Sequence, residues 1–145
     1  MAELTVTFRG AVYPWQLDHM GHFNVQFYVS MFDQSTWATL ALVGLTAGYF
    51  REQRRGMAAI EQNIRYLHEL YPGDLVENRS GFLEVRNKAL RFFHEMRNVE
   101  TGIVAARMEM VAVFMDTETR KSAPLPEAVR ERALTLLVDD PAAAG

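Results

Sequence analysis

Residues 25–45 decide what this chain can fold into. Val25, Phe27, Tyr28, Val29, Met31, Phe32, Trp37, Leu40 and Val43 surround a predicted helix that runs from Val25 to about Gly44. They leave only a narrow polar stripe through Gln26, Ser30, Asp33 and Gln34. Those polar groups argue against a membrane span, and a helix this apolar has to be covered on most sides. A helix of about 20 residues is about 30 Å long, the diameter of a small domain. It therefore traverses the fold, and the rest of the chain has to supply the cover.

The cover reads as strands. Thr5 to Val12 alternates Val6, Phe8 and Val12 against Thr5, Thr7 and Arg9, the period of a half-buried strand. Met57 to Leu70 sets Ala58, Ile60, Ile64, Tyr66 and Leu70 on one face and Glu61, Asn63, Arg65 and Glu69 on the other, and Tyr71-Pro72-Gly73-Asp74 ends it. Leu75 to Arg86 is a third strand in which Gly81 marks a bulge or bend. Asn87-Lys88 turns the chain, Leu90, Phe92 and Met96 share a face of the fourth strand, and Glu100-Thr101-Gly102 turns it again. Ile103 to Met115 is the fifth, with Val104, Ala106, Met108, Met110, Ala112 and Phe114 inward. Leu125-Pro126-Glu127 opens a short terminal helix with proline at its first position, and Asp139 to Gly145 reads as a disordered tail. The prediction is an α+β domain over residues 1–138, one five-stranded antiparallel sheet against one long helix. A single sheet leaves its outer face and edges bare, so a homodimer is expected.

Composition removes several classes of function. With 145 residues, 49% of them hydrophobic, the chain fits one globular domain with a real core. A net charge of -3 with scattered arginines gives no basic field for nucleic acid. There is no cysteine, so neither disulfide, thiolate metal site nor cysteine nucleophile is available. The opening Met1-Ala2-Glu3-Leu4-Thr5-Val6 does not read as a signal peptide, and a cytoplasmic location is expected. The chain contains no Gly-x-Ser-x-Gly, Walker loop or Gly-x-Gly-x-x-Gly, which disfavours serine hydrolases, nucleotide hydrolases and Rossmann enzymes.

The chemistry is expected in Leu17-Asp18-His19-Met20-Gly21-His22-Phe23-Asn24, a lone carboxylate in a His/Gly loop just ahead of the helix. Asn24 is the predicted N-cap. Gly21 permits close backbone approach. The first free amides, at about Phe23 to Val25, point beyond the helix start, where they could hold a carbonyl oxygen as it gains charge. A carboxylate beside such a site suits acyl transfer, with Asp18 either attacking the acyl carbon or activating water. His19 and His22 sit three apart without a fourth ligand, so no metal is expected, and one of them is expected to bond the loop or the substrate. Asp33 and Glu61 read as surface or dimer-facing carboxylates. Arg86, Lys88 and nearby Arg91 form a basic turn that a phosphate-bearing ligand would seek. Trp15, Phe23, Phe27 and Tyr28 offer an apolar pocket or simply core.

Val12 to Asn24, followed by Tyr28 and Phe32-Asp33, resembles the signature of hotdog-fold acyl-CoA thioesterases of the 4-hydroxybenzoyl-CoA thioesterase type. Arg65-Tyr66, Tyr71-Pro72-Gly73-Asp74 and Leu125-Pro126-Glu127 extend the likeness over most of the chain. The resemblance implies a long helix wrapped by a curved antiparallel sheet, dimers or tetramers with a continuous sheet, and active sites at the dimer interface. It implies Asp18 as the catalytic carboxylate, with His22 beside it. Amides near Asn24 and Val25 would polarise the thioester carbonyl, where many relatives carry two asparagines. Substrate contacts are implied at His19, Gly21 and Tyr28, and coenzyme A contacts at Arg86 and Lys88. Coenzyme A would enter only as part of an acyl-CoA substrate, with no cofactor and no membrane or nucleic-acid partner. The acyl group stays open among betainyl, aromatic and medium-chain. A hotdog acyl-CoA hydratase or dehydratase using His22 or His19, and a non-catalytic acyl-CoA-binding dimer, are the alternatives.

Overall fold

The computed structural model describes residues 1–141 and contains the five-stranded antiparallel sheet of the hotdog fold packed on one long helix. The strands are β1 (Thr5–Ala11), β2 (Arg55–Tyr66), β3 (Leu75–Val85), β4 (Ala89–Asn98) and β5 (Val104–Asp116), and the helices are α1 (Val25–Ala41), α2 (Ala47–Gln53) and α3 (Glu127–Thr135). Across the sheet the order is β1-β3-β4-β5-β2, every neighbouring pair antiparallel. The chain crosses the sheet twice, from β1 to β2 through α1 and α2 and then from β2 back to β3. The second connection, residues 67–74, passes the loop carrying Asp18 and helps to build the site.

Asn24 caps α1 as expected, its side chain accepting from the Gln26 N–H at 3.1 Å. The helix stops at Ala41, short of the expected Gly44, and the chain leaves it through Gly44 at a φ of 88°. Its buried residues, Tyr28, Met31, Phe32, Ser35, Thr39 and Leu40, fall at i, i+3, i+4 and i+7 and form one stripe against the sheet. The expectation of cover on most sides therefore fails within one chain, because a single sheet reaches only one side of a helix. Val25, Val29 and Trp37 are left 53%, 37% and 54% exposed.

Between helix and sheet lies a polar layer that the sequence reading did not anticipate. His94 is fully buried, with its ring nitrogens 2.5 Å from the Ser80 hydroxyl and 3.0 Å from the Thr36 hydroxyl. Burial pushes its pKa down to about 3, so the ring is neutral. Asn78 donates to the Met31 carbonyl at 3.2 Å and to the Ser35 hydroxyl at 2.9 Å. These bonds fix the position of α1 over β3 and β4 where apolar contacts alone would permit sliding.

Several boundaries move. β2 ends at Tyr66 rather than Leu70 because the Leu67 and His68 amides turn onto the Ala105 carbonyl. Bulges at Thr7 and Ile60 break the strict alternation, so Val6 is 40% and Ile60 63% exposed. In β3 the register shifts between Phe82 and Glu84, not at Gly81. Gly81 serves space instead, since a Cβ there would lie 2.6 Å from Val138 and 3.0 Å from Leu4. Pro126 is the N-cap of α3 rather than its first residue, and α2 was not expected at all. The outer face of the sheet is not bare either. Arg9 and Arg79 pair with Glu77, Arg91 bridges Glu84 and Glu109, and Arg97 pairs with Glu95. Arg107 lies 4.1 Å over the Phe93 ring and donates to Asp140 at 2.8 Å. The expected tail begins at Asp139, and residues 142–145 lie outside the described residues.

Candidate active site

The loop between β1 and α1 is a small hairpin. Leu17 and Phe23 pair across it, the Asp18 N–H donates to the His22 carbonyl at 2.8 Å, and the Gly21 N–H donates to the Asp18 carbonyl at 3.1 Å. Aspartate first and glycine fourth is the chemistry this tight turn asks for, and Gly21 takes a φ of 78° that costs a side-chain-bearing residue strain. The turn curls two amides onto one carboxylate oxygen. Asp18 Oδ1 accepts from the Met20 N–H at 2.8 Å and from the His22 N–H at 3.1 Å. Those bonds, His22's first, hold the carboxyl below the usual carboxylate range, with the His22 and His19 rings adding to the effect. Asp18 is thus a fixed, ionised carboxylate whose Oδ2 makes no bond among the described residues.

Of the amides expected to be free at the helix start, most are occupied. The Phe23 N–H donates to the Leu70 carbonyl at 3.1 Å and the Asn24 N–H to the Gln16 carbonyl at 2.9 Å, while the Gln26 N–H is taken by the Asn24 cap. The Asn24 side-chain oxygen thus caps α1, and its backbone N–H is taken by Gln16. The Val25 N–H has no partner among the described residues. Asp18 and Val25 line one cleft of about 370 Å³ with His22, Phe23, Tyr28, Tyr66, Leu67, His68 and Glu69.

The far wall comes from the β2–β3 connection. Glu69 Oε2 accepts from the Tyr71 hydroxyl at 2.8 Å and lies 3.2 Å from His22 Nε2. The His22 ring thus faces Glu69, while its backbone N–H donates to Asp18. Tyr66 sets its ring edge-to-face against Tyr28 at 5.1 Å, and burial drives the Tyr28 hydroxyl up to about 12. His19 is exposed and does not line the cleft. Neither do Trp15, 70% exposed, and Phe27, which pack edge-to-face on each other at 5.2 Å outside it.

The same segment of chain carries the family likeness: residues 12–133 match the model of the thioesterase-like superfamily. The chain belongs to that superfamily. It is 26% identical over 136 residues to the betainyl-CoA thioesterase of Pseudomonas aeruginosa, covering 94% of this chain and 86% of that protein. A structure of the Staphylococcus aureus protein SAV2348 in complex with CoA superposes with a TM-score of 0.86 at 19% identity, over 97% of this chain and 89% of the other. A Pseudomonas putida protein described as a putative thioesterase gives a TM-score of 0.78 at 25% identity, over 94% and 87% of the two chains. This thioesterase-like chain does not bring every expected residue together. Arg86 and Lys88 lie beyond the far end of β3, whose 11 residues separate them from the Asp18 end, about 35 Å of strand. There Arg86 pairs with Glu84, and Lys88 approaches the Ser122 hydroxyl at 3.4 Å.

Tyr66, Leu67, His68 and Glu69 are the lining residues that sequence reasoning missed. It carried the strand through to Leu70 and gave Glu69 to a polar face. Only the Tyr71-Pro72-Gly73-Asp74 turn hinted that the chain folds back here.

Proposed function

We propose that the protein hydrolyses an acyl-CoA thioester to the free acid and CoA, with Asp18 as the reacting carboxylate and the Val25 N–H holding the carbonyl oxygen. The observation that carries this is a single cleft containing an ionised carboxylate with one oxygen free and an unpaired amide at a helix N-terminus. Such an amide carries the positive end of the helix dipole and strengthens as the oxygen becomes negative. Two routes use the same geometry. In one, Oδ2 attacks the acyl carbon, the C–S bond breaks to release CoA thiolate, and water then hydrolyses the anhydride. In the other, Oδ2 takes a proton from water as that water attacks the carbon, and the proton passes to the departing thiolate. A single turnover in ¹⁸O water labels Asp18 only by the first route. The names of the relatives support CoA thioesters as the substrate class.

The reading includes a homodimer. β2 is an edge strand of 12 residues, largely exposed, and the uncovered side of α1 with Val29 and Trp37 is left to solvent by the same chain. A second copy against both completes their cover, and its Arg86 and Lys88 are the ones available to CoA phosphates at this Asp18. The test is free-thiol release from a panel of acyl-CoAs, run beside hydration of an enoyl-CoA. The account expects thiol release and no hydration. Hydration without thiol release would assign the His22–Glu69 pair a hydratase role, and saturable CoA binding without either reaction would make the protein a binding module.

A further inference from the structure

We propose that the cleft beside Asp18 selects an acyl group carrying a permanent positive charge, a quaternary ammonium, and that Tyr28, Tyr66 and Glu69 provide the selectivity. The inference rests on the acyl-CoA hydrolase reading and names the substrate class it acts on.

Charge on the lining comes first. The cleft carries the carboxylates of Asp18 and Glu69, and no lysine or arginine lines it. The hollow that continues from it along Leu67, His68 and Glu69, about 680 Å³, adds Asp74 and Glu100 and again has no lysine or arginine on its lining. A wall of this sign repels the phosphates of CoA and the carboxylate of a diacid, so what sits here beyond the thioester is the acyl head.

Aromatic surface comes second. Tyr66, 47% exposed, stands edge-to-face on Tyr28, and Phe23 lies 4.7 Å from Tyr28 behind it. Tyr28 is only 4% exposed, yet it lines the cleft and its hydroxyl has no partner among the described residues. Burial first, then Tyr66 and the charges of Glu69 and Asp18, hold the proton on the phenol. A quaternary ammonium suits these walls. It needs no hydrogen bond, ring faces attract it, and nearby carboxylates stabilise it once water has left. Glu69 is held in position for this by the Tyr71 hydroxyl.

The decisive comparison uses betainyl-CoA and 3,3-dimethylbutanoyl-CoA, which have the same shape and differ in one nitrogen for carbon. The ratio of their kcat/KM values is measured by thiol release for the wild type, Tyr66→Leu and Glu69→Gln, so that the different intrinsic reactivities of the two thioesters cancel between proteins. The expected result is a fall in the ratio of about tenfold in each variant, carried by the cationic substrate. Circular dichroism on each variant confirms that it is folded. A ratio unchanged in both variants, with thiol still released by the wild type, overturns the selectivity and leaves the hydrolase reading intact. No thiol from either substrate or from the wider acyl-CoA panel overturns the hydrolase reading and this inference with it.

Discussion

Asp18 is one carboxylate among many, and its backbone sets it apart. That Asp18-His19-Met20-Gly21 is a loop was readable from the sequence, and its tight turn has aspartate and glycine where such a turn needs them. That the turn would aim two amides at Oδ1 and leave Oδ2 bare was not, since side-chain rotamers are set by packing. The consequence is a pH profile. A carboxyl held below its ordinary value stays ionised as pH falls through the normal carboxylate range, so the rate limb due to Asp18 lies below about pH 3.8, the usual aspartate value. A kcat/KM profile that loses half its value at about pH 5 or 6 through a group abolished by Asp18→Asn would contradict this, because Asp18 would then be a raised acid. Glu69 illustrates what stayed hidden. Period two gave it a surface role, and only the turning of Leu67 and His68 onto Ala105 brings it opposite Asp18.

At the scale of elements, α1 supplies the core stripe and carries the unpaired Val25 N–H at its start. Its existence, start and cap were legible because the apolar residues recur at helical spacing and Asn24 precedes them; its end at Ala41 and which amides remained free were not, the latter because the Gln16 and Leu70 carbonyls reach them. Val25→Pro removes this unpaired N–H while placing proline at the first helical position, where the helix tolerates it. Asn24 already has the extended ψ of 138° that a residue before proline prefers. The expected outcome is an unchanged melting temperature with kcat lower by about 10²–10³-fold; unaltered kcat would remove the oxyanion role. The polar layer under α1 gives a second test. His94 is neutral in the fold, its pKa pushed to about 3, whereas the unfolded chain protonates it below about pH 6.5. Stability therefore falls as pH drops from about 6.5 towards 3, by up to about 1.4 kcal/mol per pH unit from this residue. Urea melts at about pH 7 and 5 should show this loss in the wild type, and His94→Leu should reduce it; equal losses in both would mean that His94 protonates in the folded state.

For the whole molecule, the expected sheet, helix and strand order hold, since alternation along each strand and the turns between them are local signals. The edges were less legible. Bulges at Thr7 and Ile60, and the ion pairs on the outer face, depend on which strand lies beside which. The faces a second copy would cover are the β2 edge and the uncovered side of α1, not the outer face of the sheet. Ile60→Lys combined with Trp37→Lys places like charges where two copies would meet; sedimentation should give a dimer for the wild type and a species near 16.5 kDa for the variant. A wild-type monomer that turns over acyl-CoA would contradict the shared site. The central claim is that the bound carboxylate of Asp18 and the free amide of Val25 together cleave a thioester. Its most direct test is the kcat for thiol release by Asp18→Asn, a substitution of equal shape, against the wild type. The account predicts a loss of at least about 10²-fold with an unchanged fold, and near-normal release by the variant would contradict it.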